Sequence, residues 1–248
     1  MVTEAAEGVK GSILGHDLER NNLNMQHIER SQLFTDPIYR FQYVANFLDF
    51  GDDDVDAIKG AAELIKPLVP TVVNAVYAKL HKYDITWAVM AKRHEGFVPK
   101  DKVIENTSDL SEDAEQIKFR KDMLSRYFAK LLENPYDERM IKYLEYVARI
   151  HTDTPGKKSK INVDLIHINV LLGYVETVLI GGIKSLNLDR DTEYKAIAAF
   201  GKLLWIQMDF FIKFYCPEGS EYREPVVVEN AVVRQEQGFF SRIWSLFF

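Results

Sequence analysis

Residues 134–152 read NPYDERMIKYLEYVARIHT, and the spacing of their apolar residues predicts an amphipathic helix. Ile141, Leu144 and Val147 recur at intervals of three, and His151 follows Val147 by four, so these side chains share one helix face. The breaker sequence TPG and the basic sequence KKSK come soon afterwards, which places His151 in the last turn before a loop. The segment therefore predicts an apolar stripe that ends in an imidazole.

Helical periodicity extends over most of the chain. Only 13 glycines and 8 prolines interrupt it, and no alternating runs separated by hairpin turns are found. We expect further helices within residues 37–50, 52–66, 71–84, 111–131, 161–183 and 191–216. Residues 87–109 are polar and are expected to be irregular. Residues 161–183 are apolar nearly all round, which predicts a helix at the centre of a bundle. The fold class predicted from these patterns is all-α.

Composition limits the classes of function. The chain has 248 residues, of which 47% are hydrophobic, enough for one main domain with extensions. Its net charge of −6 disfavours nucleic acid as a partner. We judge no apolar run long enough to span a bilayer and find no signal-peptide pattern at the acidic start, so a cytoplasmic location is expected. The single cysteine, Cys216, can form no intrachain disulfide.

The six histidines show neither metalloprotease nor zinc-finger spacing. His16, His27, His81 and His94 have polar neighbours and are interpreted as surface residues. His167 lies within the apolar helix, where a buried, hydrogen-bonded histidine is expected. His151 differs because it ends an apolar stripe, and a haem needs an apolar slot with one imidazole directed at the iron. By position alone, His151 could equally be a residue that complements the helix dipole.

Two segments resemble the globin-coupled sensors and protoglobins. In that family a tyrosine-rich amphipathic helix ends in an Arg-X-His element whose histidine is the proximal haem ligand, and here the element is Arg149-Ile150-His151. PTVVNAVYAKL resembles the distal helix, whose tyrosine donates a hydrogen bond to the ligand on the iron, and Tyr77 matches that tyrosine. Val76 stands where the family commonly has an aromatic residue, which implies a more open distal pocket.

The resemblance extends over roughly residues 32 to 216. Residues 38–54 resemble the family's extra N-terminal helix and the turn after it, and residues 120–137 resemble the helix of the distal wall. The likeness implies that the haem pocket is lined by Leu124 and Phe128, which face the haem, and by Met90 and Ile168. Met90 replaces an aromatic residue expected near the haem edge, and Leu124 stands where the family often has a larger one.

The family implies a globin fold with an extra N-terminal helix, here followed by an aromatic C-terminal tail. It also implies a haem b held by His151 and a diatomic gas as ligand, with oxygen favoured over carbon monoxide and nitric oxide. Gas binding or sensing ranks above catalysis, because a peroxidase would prefer a distal histidine with a basic group. Peroxidase or nitric oxide dioxygenase activity remains an alternative. In a second alternative, a haem-free interaction module, the wall residues are ordinary core and Tyr77 bonds a backbone carbonyl.

The expected organisation has three parts: an N-terminal extension (1–35), the globin-like domain (36–216) and a C-terminal tail (217–248). Residues 238–248 read GFFSRIWSLFF and could fold back over the core, form a dimer seam or contact a membrane surface or a protein. Because the sensor relatives tend to dimerise through their last helices, a homodimer is a further expectation. The signalling domain that usually follows the globin in these sensors is not expected in this chain.

Overall fold

A computed structural model of the chain describes residues 25–92, 94, 96–98, 104–152 and 161–222. All regular secondary structure within these ranges is helical, which confirms the predicted fold class. The α-helices there are α1 (Arg30–Thr35), α2 (Pro37–Phe47), α3 (Asp52–Ile65), α4 (Val69–His81), α5 (Asp84–Ala91), α6 (Glu115–Glu133), α7 (Glu138–Ile150), α8 (Leu165–Lys184) and α9 (Arg190–Tyr215). Short 3₁₀ turns lie at Lys66–Leu68 and Ser220–Tyr222. The aromatic segment 238–248 lies outside the described residues.

The first long helices begin where the sequence supplies capping groups. The Asp36 carboxylate accepts hydrogen bonds from the backbone N–H groups of Ile38 at 2.8 Å and Tyr39 at 3.2 Å. Pro37 follows it as the first residue of α2, where its missing N–H costs nothing. The acidic run Asp52–Asp54 occupies the first turn of α3 and complements the helix dipole.

The extra N-terminal helix α2 is part of the core. Its Phe41 and Ala45 are each 1% exposed. Arg40 forms a bidentate ion pair with Asp209 of α9, with N–O distances of 2.6 and 2.8 Å. Apolar burial and this ion pair together attach α2 to the last long helix.

The centre of the bundle is α9, not α8 as the apolar sequence of residues 161–183 predicted. Eleven α9 side chains are buried, against four on α8. Ile166 and Val170 of α8 are 65% and 60% exposed. The reason is that α8 packs on α9 and α4 with one face only. Composition shows how apolar a helix is, but neighbouring helices decide how many of its faces are covered.

Helix α8 also overturns the expectation that no apolar run is long enough to span a bilayer. It has 20 residues with a mean hydropathy of 1.6, which satisfies the length and composition of a membrane-spanning helix. Its Val175 and Leu179 are nevertheless each 6% exposed within the helical bundle.

The segment from Trp87 onward is more ordered than its polar sequence predicted. Helix α5 extends to Ala91, and Trp87 is 2% exposed. The indole N–H of Trp87 donates to the carbonyl of Leu110 at 2.8 Å. This contact with a residue 23 positions later stabilises a helix that local periodicity did not predict.

Candidate functional site

A cavity of about 550 Å³ lies inside the bundle. Residues of α4, α5 and α6 line it together with residues of α7, α8 and α9. Its size is in the usual range of small-molecule and cofactor pockets. All six residues that the sequence singled out as cofactor contacts line this cavity: Tyr77, Met90, Leu124, Phe128, His151 and Ile168.

His151 is the residue at which α7 ends. Its Nδ1 lies 2.7 Å from the carbonyl oxygen of Val147, one helical turn earlier, so Nδ1–H is the donor of this hydrogen bond. The assigned tautomer therefore places the basic lone pair on Nε2, the arrangement that metal-binding histidines use. The ring of Phe211 meets the imidazole edge-on, with ring centres 5.6 Å apart and an interplanar angle of 77°.

The backbone at His151 is attached to the two helices that follow. The N–H of Val163, just before α8, donates to the His151 carbonyl at 3.0 Å. The hydroxyl of Tyr215, the last residue of α9, lies 3.2 Å from the same carbonyl and also contacts the carbonyl of Val163. These contacts hold the end of α7 against α8 and α9.

Tyr77 lies on α4 and is 6% exposed. Within the part of the chain that the structure describes, its hydroxyl makes no hydrogen bond, so the bond to a backbone carbonyl considered above is not found there. Burial raises the pKa of Tyr77 well above its ordinary value, so the hydroxyl keeps its proton. The cavity thus contains a protonated hydroxyl that can donate to a ligand.

His94 and Arg120 are two polar residues of the cavity that were not predicted from the sequence. His94 was interpreted as a surface residue, and this is wrong, because it is 8% exposed and stacks near Phe119 with ring centres 5.3 Å apart. Its Nδ1 accepts a hydrogen bond from the N–H of Gly96 at 3.0 Å. Burial, and after it electrostatic interactions with Arg120 and His151, lower the pKa of His94 to about 4. His94 is therefore neutral near pH 7.

Arg120 is 6% exposed, and its Nη2 donates to the carbonyl of Lys92. Burial lowers the pKa of its guanidinium, which remains protonated at neutral pH. A signal for Arg120 was present in the sequence, because it precedes Leu124 by four residues and Phe128 by eight on the same helix. Residues at that spacing share a face, so the predicted wall should have included it.

His167 differs from its expected role in one respect. It lines the cavity from the first turn of α8. Its Nε2 is buried and has no hydrogen-bond partner within the described residues, whereas the sequence predicted a buried histidine with a hydrogen bond. A buried polar atom without a partner is costly, and a polar group of a bound molecule could satisfy it.

A further polar chain crosses the bundle beside the cavity. The Tyr127 hydroxyl donates to Oε1 of Gln207 at 2.9 Å, and Nε2 of Gln207 donates to the Leu144 carbonyl at 3.3 Å. Burial raises the pKa of Tyr127. These hydrogen bonds join α6, α9 and α7 at the wall of the cavity.

Comparison with protein families shows a match to the Protoglobin family over residues 38–221. The chain belongs to the protoglobin family. Its all-α bundle is therefore a globin fold, of the kind that binds a small gas molecule. The protoglobin match includes α2 from Ile38 onward, α3 to α9 and every cavity residue discussed above. A search of curated proteins finds no similar sequence.

Proposed function

We propose that this protoglobin is a haem-b protein that binds a diatomic gas, with oxygen as the favoured ligand and carbon monoxide or nitric oxide as further ligands. The observation that carries the proposal is the pairing of His151 Nδ1 with the Val147 carbonyl at 2.7 Å, in a cavity that also contains the Tyr77 hydroxyl. An imidazole nitrogen that can ligate iron and a separate hydroxyl that can donate to the bound ligand are polar groups by which a haem protein can bind and stabilise a gas.

The residues of the cavity fit a haem. The space of about 550 Å³ has an apolar lining typical of a site for a large flat cofactor. The buried Nε2 of His167, which has no partner in the described part of the chain, could meet a polar group of that cofactor. When bound, the haem supplies the iron to which the gas attaches.

Each polar residue then has a distinct task. His151 would hold the iron through Nε2, while the hydrogen bond to the Val147 carbonyl orients the ring and makes the imidazole more basic. Tyr77 keeps the proton on its hydroxyl oxygen and donates it in a hydrogen bond to the bound gas. Met90, Leu124, Phe128 and Ile168 exclude water from the ligand.

The test is a haem titration of the purified apoprotein, followed by visible absorption. The wild type and His81→Ala, which changes an exposed histidine paired with Glu112, are expected to develop the same Soret band. His151→Ala is expected to lose the band or to bind haem at least tenfold more weakly. If the wild type shows no Soret band, the chain is instead a haem-free interaction module.

A haem-dependent peroxidase is a second candidate, and one observation favours it. The cavity contains a neutral histidine and a basic group, His94 and Arg120, beside Tyr77. The Nε2–H of the neutral imidazole can donate a hydrogen bond to a peroxide, and the guanidinium can stabilise the negative charge that develops on it. Peroxide-dependent oxidation of a phenol by the haem-loaded protein tests this candidate. Loss of that activity in His94→Gln, with retention in Tyr77→Phe, would favour the peroxidase.

We also propose that two copies associate through the outer faces of α8 and α9. Ile166 and Val170 form the exposed apolar part of α8. Trp205 of α9 is 60% exposed and follows Gly201 by one helical turn. Because a Cβ at Gly201 would lie 3.3 Å from Glu176 of α8, the exposed Trp205, one turn later, lies near the edge of α9 that adjoins α8. An apolar surface of this kind is typical of a protein contact.

A further inference from the structure

Arg120 is a buried cation without an acidic partner in the described residues. It is 6% exposed, and its hydrogen bond there is the one from Nη2 to the Lys92 carbonyl. No carboxylate of the described residues lies within ion-pair distance of it, although other buried or half-buried cations, such as Arg40, Lys202 and Lys213, have one. Among the described residues, Arg120 therefore differs from these cations in lacking an acidic partner.

An unpaired buried charge is costly to a folded protein. A guanidinium has five N–H donors in a rigid planar fork, and one carbonyl satisfies one of them. The remaining desolvation cost is offset only when an anion with matching geometry is present. Since Arg120 lines the cavity, the anion that would offset this cost has room to bind there.

His94 supplies a second donor to the same cavity. Because its Nδ1 accepts from the Gly96 N–H, its proton is on Nε2. Both side chains line the same cavity, and the positive charge of Arg120 adds to burial in lowering the pKa of His94. Together they provide two kinds of hydrogen-bond donor, the charged guanidinium of Arg120 and the neutral Nε2–H of His94.

We propose that Arg120 and His94 form an anion-binding site in the cavity for a small planar anion of the carboxylate class. Two sources can supply that group. One is a propionate side chain of the haem, and this source depends on the proposed function above. The other is a free carboxylate that enters the cavity from solution.

The first experiment measures whether the anion site exists and uses the apoprotein. Thermal unfolding is followed in sodium acetate and in sodium chloride at equal ionic strength, for the wild type, Arg120→Gln, Arg120→Lys and the control Arg139→Gln. Arg139 has a side chain 82% exposed, which makes it a matched change of charge away from the cavity. Acetate is expected to raise the Tm of the wild type and of Arg139→Gln, but not of Arg120→Gln, because a ligand stabilises only the state that binds it. Arg120→Lys is expected to respond weakly.

The second experiment identifies the source of the anion. Haem b and its dimethyl ester, which lacks both carboxylates, are titrated into the same proteins. If a propionate occupies the site, Arg120→Gln weakens haem b binding about tenfold and leaves ester binding unchanged. If a free carboxylate occupies it, both haems bind Arg120→Gln as they bind the wild type, while the acetate effect is lost.

The two proposals fail in different ways. A wild type that takes up neither haem contradicts the haem function, and the acetate response alone then decides on the anion site. The anion site is overturned if acetate acts equally on the wild type and Arg120→Gln and if the variant shows no loss of affinity specific to haem b. Arg120 would be a structural residue if Arg120→Gln weakened the binding of haem b and of its dimethyl ester equally and if acetate did not raise the Tm of the wild type.

Discussion

The carbonyl of Val147 determines which nitrogen of His151 can bind a metal. By accepting the Nδ1 proton at 2.7 Å, it fixes both the tautomer and the ring orientation. The helical spacing of four residues supplies this acceptor, because the last carbonyls of a helix lack N–H partners of their own. The end of α7 thus supplies the carbonyl acceptor that orients His151 for its proposed role as iron ligand.

Tyr77→Phe is predicted to shorten the lifetime of the oxygen complex. The variant keeps the ring in its buried place on α4 and removes only the hydroxyl donor. A single hydrogen bond of about 0.5 to 1.5 kcal/mol corresponds to a rise of roughly three- to tenfold in the oxygen dissociation rate. Stopped-flow measurement of that rate checks it, with Tyr174→Phe on α8 as the control. An unchanged dissociation rate in Tyr77→Phe would show that the hydroxyl does not donate a hydrogen bond to the bound oxygen.

His94 makes the stability of the fold depend on pH in a known direction. Its pKa is lowered to about 4 in the folded protein, against 6.5 for the ordinary side chain, so the unfolded chain binds more protons between these values. Stability is therefore expected to fall as the pH decreases from about 6.5 to about 4, by at most about 1.4 kcal/mol per pH unit for one proton. His94→Gln should flatten this dependence in denaturant unfolding curves.

The exposed His81 provides the control for that experiment. His81→Gln is expected to preserve the acid dependence of the wild type, because this side chain is 46% exposed. A His94→Gln variant with the same acid dependence as the wild type would contradict the assignment of the buried neutral imidazole.

Helical spacing together with the family resemblance located Tyr77 on α4 and Leu124 and Phe128 on α6, and all three line the cavity. The same reasoning missed Arg120 on α6, and it missed His94, which depends on a distant contact. His94 has polar neighbours in the chain, and its burial results from packing against Phe119 of α6. A periodic pattern contains no information about such a contact.

At the scale of elements, the end of α9 is connected to the end of α7. Tyr215 contacts the carbonyls of both His151 and Val163, and so joins α9 to the proposed iron ligand and to the start of α8. The C-terminal end of α9 can therefore influence the position of His151. This connection depends on residues 64 positions apart and could not be read from the sequence.

Tyr215→Phe is predicted to loosen that connection without unfolding the protein. Loss of the hydroxyl should lower the free energy of unfolding by about 1 kcal/mol and accelerate haem loss to an acceptor protein. Tyr194→Phe, at a site 71% exposed on the same helix, is the control. Haem loss at the wild-type rate in Tyr215→Phe would show that the contact does not support the site.

Helices α8 and α9 show that hydropathy alone does not predict which helix lies at the centre of the bundle. Residues 161–183 looked like the centre of the bundle, yet α9, with a more mixed composition, occupies it. The apolar residues of α8 that face outwards, such as Val170, have no partner element within the described residues. An apolar sequence therefore predicted burial correctly only for the face that meets α9 and α4.

At the scale of the whole molecule, the exposed apolar residues on the outer face of α8 indicate that two copies associate. Val170→Glu places a charge at a position 60% exposed and should convert a dimer into a monomer without loss of fold. Phe47→Glu, on α2 at 78% exposure, is the matched control and should remain dimeric. Analytical ultracentrifugation gives the masses.

Two outcomes of that measurement would contradict the proposed dimer: a monomeric wild type, or dissociation in Phe47→Glu alone. Sedimentation of the protein with anionic lipid vesicles tests the alternative that the exposed face of α8 binds a membrane surface. Binding to vesicles that is lost in Val170→Glu would assign this face of α8 to a membrane surface.

The central claim is that His151 holds the iron of a haem, and its most direct test is the resonance Raman spectrum of the ferrous, gas-free protein. The wild type is predicted to show an iron–histidine stretching band. In His151→Gly this band is predicted to disappear and, on addition of free imidazole, to be replaced by one at a shifted frequency. A haem-loaded His151→Gly protein that keeps the wild-type band without imidazole would show that another residue binds the iron.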